Sequence, residues 1–327
     1  MRRTGPSGFA LLLGLLGALV SCASGEAGWG EARAPSVVAL SRLGESRFLP
    51  LEWRAAAARR ESWRDAAAAA DYRAFPPGIP NLGRTASTIW LRVRVLNDTG
   101  ARARRMLVVD WPRLGRVSAW RALGPAEARS AEPLGRSGWE VPWSSRPFSH
   151  PAHVFPVDLP PGREATLLLR VEGPSEMLFP VRLLDARQMV LRERYGALVV
   201  GVYAGLVLAL VGFNVLVFFR VRQRHHLLYA ASALCFLPWW LMNAGWLGFV
   251  PWIAERLDGA TAVLGAGWHV FRLAFARDFL LLRRIAPRLD AVLRVVQWAV
   301  VPGVVAILYG LLSAAGREAV WPFLEVP

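Results

Sequence analysis

The spacing of hydrophobic and polar positions changes once along the chain, near residue 195. Upstream, apolar runs are short and broken by turn residues; downstream they are long and sparsely charged. The clearest upstream alternation is Thr88 to Leu96, where Ile89, Leu91, Val93 and Val95 share one face and Trp90, Arg92 and Arg94 the other. Asn97-Asp98-Thr99-Gly100 then supplies turn chemistry. Further apolar runs fall at Arg105 to Val109, Arg116 to Arg121, His153 to Leu159, Thr166 to Val171 and Leu178 to Leu184, with turn signals such as Leu159-Pro160-Pro161-Gly162 between them. This spacing predicts an antiparallel β-sandwich over residues 47–190. Arg47 to Trp53 reads as its first strand and Ala55 to Ala70 as a helix by propensity.

The downstream pattern predicts membrane helices. Tyr195 to Phe219 contains no charge, and at about 1.5 Å per residue a helix of that length crosses a hydrocarbon core of roughly 30 Å. The basic loop Arg220 to His226 is cytoplasmic by the positive-inside rule, which leaves the sandwich outside. A second span is expected over 227–250, closing on Trp246, Phe249 and Trp252, with Glu255, Arg256 and Asp258 as an external turn. A third, over 259–282, is interrupted by His269, Arg272, Arg277 and Asp278. Arg283, Arg284, Arg288 and Arg294 again mark the inside; a fourth span over 291–315 leads to an external tail, 316–327.

The first residues fit export. Arg2 and Arg3, an apolar run from Phe9 to Val20 and small residues after it make 1–23 a secretory signal peptide, with 24–46 as a linker. Leu19-Val20-Ser21-Cys22 fits a bacterial lipobox with Cys22 as the lipidated residue; Ser21-Cys22-Ala23 equally fits ordinary cleavage.

Composition agrees with this division. A hydrophobic fraction of 54% suits a chain partly embedded in lipid. The net charge of +15 is carried by Arg without any Lys and is spread over both halves, so it marks no nucleic-acid surface. The two cysteines, Cys22 and Cys235, offer neither a disulfide framework nor a zinc spacing, and Cys235 reads as a small packed hydrophobe. His150 and His153 have the spacing of a metal pair without a nearby carboxylate or thiol, and no nucleophile motif or paired-carboxylate setting occurs. Neither a cofactor nor an enzymatic activity is expected.

The residues suited to a ligand are aromatic rings, which stack on sugars, and arginine forks, which hold carboxylates. Trp120, Trp139, Trp143, Arg146 and His150 are the candidates, four of them on one Pro- and Ser-rich loop. Each tryptophan has a plain packing alternative: Trp111 and Trp120 as caps of the core, Trp139 and Trp143 under their own loop. Trp90 reads as structural.

The order Asn81-Leu82-Gly83, Trp90-Leu91-Arg92, Asn97, Val117-Ser118-Ala119-Trp120, Gly135, Arg146-Pro147 and His153 to Val157, then Leu167 to Glu172 and Phe179-Pro180, resembles the extracellular domain of bacterial seven-transmembrane receptors with diverse intracellular signalling modules. Gly201 to Gly205, Asn214, Tyr229, Gly245, Gly248, Phe275 to Leu280 and Pro287-Arg288-Leu289 resemble the start of their membrane domain. The resemblance implies a jelly-roll domain akin to carbohydrate-binding modules, a small-molecule or glycan ligand, and a cytoplasmic output module such as a histidine kinase or diguanylate cyclase. Against the family's seven spans, four are counted before Val326-Pro327. The expectation is a truncated product, with a receptor signalling through a separate cytoplasmic protein as the alternative. The function expected is a multi-pass receptor of the bacterial cell membrane; the alternative is a membrane-tethered carbohydrate-binding module.

Within the spans, Gly201 and Gly205 are four apart and suit close helix approach, as a homodimer contact or within one bundle. Arg272, costly against lipid, is expected to face the bundle interior, paired with Asp278, Asn214 or Asn243.

Overall fold

The computed structural model describes residues 37–303 and 305, except 44–47, 59–60, 77, 86, 125–130, 174–175, 249–256 and 300. The leader with Cys22, Glu255 and Arg256, the later part of the expected fourth span and the tail 316–327 lie outside the described residues.

Strands β1 (Val38–Ala39), β2 (Glu52–Ala55), β3 (Arg73–Ala74), β4 (Asn81–Arg84), β5 (Ile89–Leu96), β6 (Ala103–Val109), β7 (Arg116–Leu123), β8 (Ala131–Ser137), β9 (His153–Leu159), β10 (Glu164–Glu172), β11 (Glu176–Leu178) and β12 (Val181–Leu184) make the first half. The large sheet runs β3-β2-β5-β10-β7-β8, with β1 also on β5; β12-β6-β9 forms a second sheet and β11-β4 a small third. Ile89, Leu91, Val93 and Val95 are at most 2% exposed and pack with Leu107, Val109, Phe155 and Val157 of the second sheet. The alternation read in β5 therefore points its aliphatic face into a sandwich-like core.

The polar side of β5 is covered as well. Helix α1 (Trp63–Ala68), closed by a Ser62/Asp65 capping box, lays Ala66 and Ala67 on Trp90 and Leu168. It is shorter than the helix expected from Ala55, because Ala55 pairs with Ile89 as the end of β2. Strand pairing prevails over alanine's helix propensity here. The domain also begins earlier than residue 47: Val38 and Ala39 pair with Val95 and Leu96, and Leu40 is buried in the core, so part of the expected linker belongs to the sandwich.

The second half is helical: α2 (Ala186–Val221), α3 (Arg224–Asn243), α4 (Leu257–Phe279) and the short α5 (Leu282–Ile285), with residues 287–299 also helical. Among the described residues α2 is the one helix long and apolar enough to cross a membrane, and only 11% of its most apolar window is buried. It starts at Ala186 rather than Tyr195, directly from the sandwich. Asp185, next after β12, caps it in a reciprocal box with Gln188, and Met189 is buried against Val108, Ala152, Val154 and Leu184. Helix α3 ends at Asn243, short of the expected Val250, because a turn follows in which Gly245 takes φ +80. Asp258, expected in the external turn, falls inside α4.

Candidate functional site

Register places three cross-strand rows on the outer face of the large sheet. Arg54, Trp90, Arg170, Ser118 and Arg136 form one; Glu52, Arg92, Leu168, Trp120 and Pro133 the next; Arg94, Thr166, Ala122 and Ala131 the third. Trp120 is half-buried beside fully buried Trp90, ring centroids 5.5 Å apart. It does not cap the main core: it packs with α1, Trp63 and Tyr72 on the opposite side of the sheet.

Four of the five arginines in these rows, Arg54, Arg92, Arg94 and Arg170, are ion-paired. Arg92 Nε donates to Glu52 at 2.6 Å while its guanidinium lies 3.8 Å from the centre of the Tyr72 ring. Arg54 is held by Glu61 and by Asp71, and Arg170 by Glu172 at 2.8 Å. Among the described residues, three buried polar atoms of uncharged side chains on this face make no hydrogen bond: Trp90 Nε1, Thr166 Oγ1 and Tyr72 Oη. Burial raises the Tyr72 phenol above its ordinary range, so it is a neutral donor at physiological pH. Sequence reasoning reached Trp120 alone among these residues; Trp90, Arg92, Tyr72 and Thr166 gather only because β5 pairs with β2 and β10.

The other candidates lie at the end of the sandwich that meets the helices. Trp143 lies so close to Gly248 that a Cβ there would sit 2.3 Å from Trp143 Nε1. Arg146 stacks on Trp143 at 4.7 Å and donates to the carbonyls of Gly138 and Val141, which ties its loop down. Burial pushes that guanidinium down to about 10. Arg113 stacks on Trp139 at 4.8 Å and donates to Asn243 Oδ1 at 2.7 Å. His150 accepts from the Ala152 amide, and burial lowers its basicity.

His153, fully buried, is a core residue: Nε2 donates to the Trp111 carbonyl at 3.1 Å, leaving Nδ1 to accept from Ser137 Oγ at 3.0 Å. Burial pushes its pKa down to about 3, so the ring is neutral. The hydrogen-bonded pair it makes with Ser137 could not have been read from the spacing of two histidines.

In the helices the expected pairings change. Arg272 is exposed, stacks on Trp268 at 4.8 Å and lies 3.1 Å from His269, rather than facing inward to Asp278, Asn214 or Asn243. Asp278 instead receives Arg224 at 2.6 Å, and Asn214 meets His226 at 3.0 Å. Asp290 gathers Arg277 and Arg294. Gly201 and Gly205 are exposed with open space above them. They therefore make no close approach within this chain's described helices, where Gly265 lies under Trp239 and Gly267 under Cys235, the latter packed as a small hydrophobe.

Comparison with protein families gives two matches. The model described as 7TMR-DISM extracellular 2 covers residues 51–185, and that described as 7TM diverse intracellular signalling covers residues 196–324. No curated protein matches the chain. With the long apolar helix, the two matches make this a membrane protein whose N-terminal domain lies outside.

Proposed function

The chain belongs to the 7TMR-DISM receptors, membrane proteins of sensing and signalling, and on that premise we propose that it is the sensor part of a multi-pass receptor in the bacterial cell membrane. The sandwich, a jelly roll in this reading, binds a glycan or small polyhydroxylated molecule outside. Four spans receive the change and pass it to a cytoplasmic output module. The chain works by binding and not by catalysis.

The observation that carries the ligand reading is the outer face of the large sheet, where Trp120 lies against fully buried Trp90 and keeps part of its own surface open to solvent. The signalling reading is supported by the junction. Asp185 caps α2 immediately after β12, and Met189 is buried in the sandwich, so a displacement of the domain moves the helix without slack. A tethered binding module would need no such union. Binding shifts the receptor only through different affinities for its two states.

A glycan and metabolite array probed with the detergent-solubilised chain tests the ligand. Saccharide binding that Trp120→Ala lowers about tenfold, equivalent to about 1.4 kcal/mol of lost ring contact, supports the reading. Absence of any saccharide binding overturns the sugar preference. Reporters inserted after Ser36 and within Arg220 to His226 test topology, and reversed signals overturn the orientation.

A further inference from the structure

The loop that sequence reasoning selected for ligand binding meets the turn after α3. Four contacts converge there. Arg113 Nη1 donates to Asn243 Oδ1 at 2.7 Å. A Cβ on Gly245 would lie 3.0 Å from both Pro112 Cβ and Pro151 O, and one on Gly248 would lie 2.3 Å from Trp143 Nε1. Trp246 reaches back to α2, where a Cβ on Gly196 would be 3.7 Å from its Cζ2. Both glycines are buried. Any larger side chain at Gly248 must displace the Trp143 ring, which is itself backed by Arg146.

The side chains on the sandwich side are held in place independently of this contact. Arg113 lies on Trp139, and Arg146 is fixed by the carbonyls of Gly138 and Val141. On the helix side, Asn243 Nδ2 donates to Trp239 O, and the amides of Ala244 and Trp246 bond back to Trp240 and Leu241. Two stiff elements therefore meet through one charged hydrogen bond and two glycine seats, and neither can shift by an ångström without moving the other.

We propose that the turn 244–248 is a docking seat for the sandwich, a second point of transmission besides α2, through which displacement of the domain is delivered to α3. This deepens the receptor reading and rests on it for its purpose. The seat's existence as a coupled contact can be tested without any ligand.

Hydrogen exchange on the intact chain in nanodiscs reads the coupling from both sides. Arg113→Ala, on the sandwich, should raise exchange several-fold at the amides of Ala244, Trp246 and Gly248. Gly248→Val, on the turn, should raise it several-fold at Trp139, Val141 and Arg146. The double variant should exceed the larger single effect by less than twofold. If each variant changes only its own side, the proposal is overturned. Gly248→Ala repeats the test with a smaller intrusion should the valine variant fail to fold, and Trp120→Ala should leave both regions unchanged. Because saccharide binding at Trp120 is read separately, a silent array with coupled exchange sinks the ligand reading and keeps the seat. Saccharide binding with uncoupled exchange does the reverse.

Discussion

Arg113 Nη1 and Asn243 Oδ1, 130 positions apart in the chain, lie 2.7 Å apart and join the sandwich to the end of α3. Asn243 also holds its own helix through Trp239 O, so the arginine is the cleaner side to remove. Arg113→Ala should lower the apparent melting temperature of the solubilised chain, with a loss of about 1.5–3 kcal/mol for a part-buried hydrogen bond from a charged group. Arg113→Lys should recover only part, since a lysine lacks the planar fork that stacks on Trp139. Full recovery by lysine would show that charge alone holds the contact.

Gly248 and Trp143 should behave as one unit. Gly248→Ala places a methyl 2.3 Å from the indole nitrogen and should destabilise by about 1–3 kcal/mol, as overpacking does. In a Trp143→Ala background the same change should be nearly neutral, so a double-mutant thermal cycle reports strong coupling. Additive effects would place the clash elsewhere.

Gly138 is a stricter case. Its φ is +145, and a Cβ there would sit 2.2 Å from the backbone oxygen of Gly115, which cannot rotate away. Gly138→Ala should cost more than Gly248→Ala, on the order of 3 kcal/mol or above. The measure is loss of folded protein in size-exclusion chromatography.

His153 gives stability a pH dependence of defined sign. Its folded pKa is about 3, while an unfolded histidine titrates near 6.5, so as pH falls the unfolded chain takes up the proton first. Its contribution is whole above about pH 6.5 and declines towards pH 3, by at most about 1.4 kcal/mol per unit. Melting curves at pH 7.5, 6.0 and 5.0 should fall steadily, and His153→Gln should flatten that slope. An unchanged slope would assign it to other groups.

The union of β12 with α2 should be sensitive at Met189. Met189→Ala removes a side chain that is 3% exposed and should cost about 2–5 kcal/mol. Limited proteolysis should then cut near Ala186 to Arg194, where the wild-type chain resists.

The ladder of strands was largely legible because a half-buried strand needs period-two alternation: β9 has the bounds expected, and β5, β6, β7 and β10 lie within a few residues of theirs. Strands β4 and β8 were not, since Asn81–Arg84 and Ala131–Ser137 are polar, carry glycine and are exposed or half-buried everywhere but at Ser137. Backbone pairing forms them, and pairing leaves no mark on local composition. The turn that ends α3 was hidden for a related reason. The apolar run continues through Trp246 and Leu247, and only Gly245 at positive φ shows where the helix stops.

From its sequence alone the chain is divided at residue 195 and given an exported β domain, a first apolar helix long enough to span a bilayer and a basic loop behind it, because hydrophobic period and run length are local properties. Which aromatic residues serve which purpose was decided by tertiary structure. Trp120, Trp139 and Trp143 are alike as aromatic candidates, yet strand register sets Trp120 beside Trp90 on the outer sheet. The chain's return from α3 sets Gly248 against Trp143 and, through Arg113, ties the Trp139 side of the loop to Asn243. Contacts between residues a hundred positions apart arise only when the whole chain closes, and no window of neighbouring residues contains them.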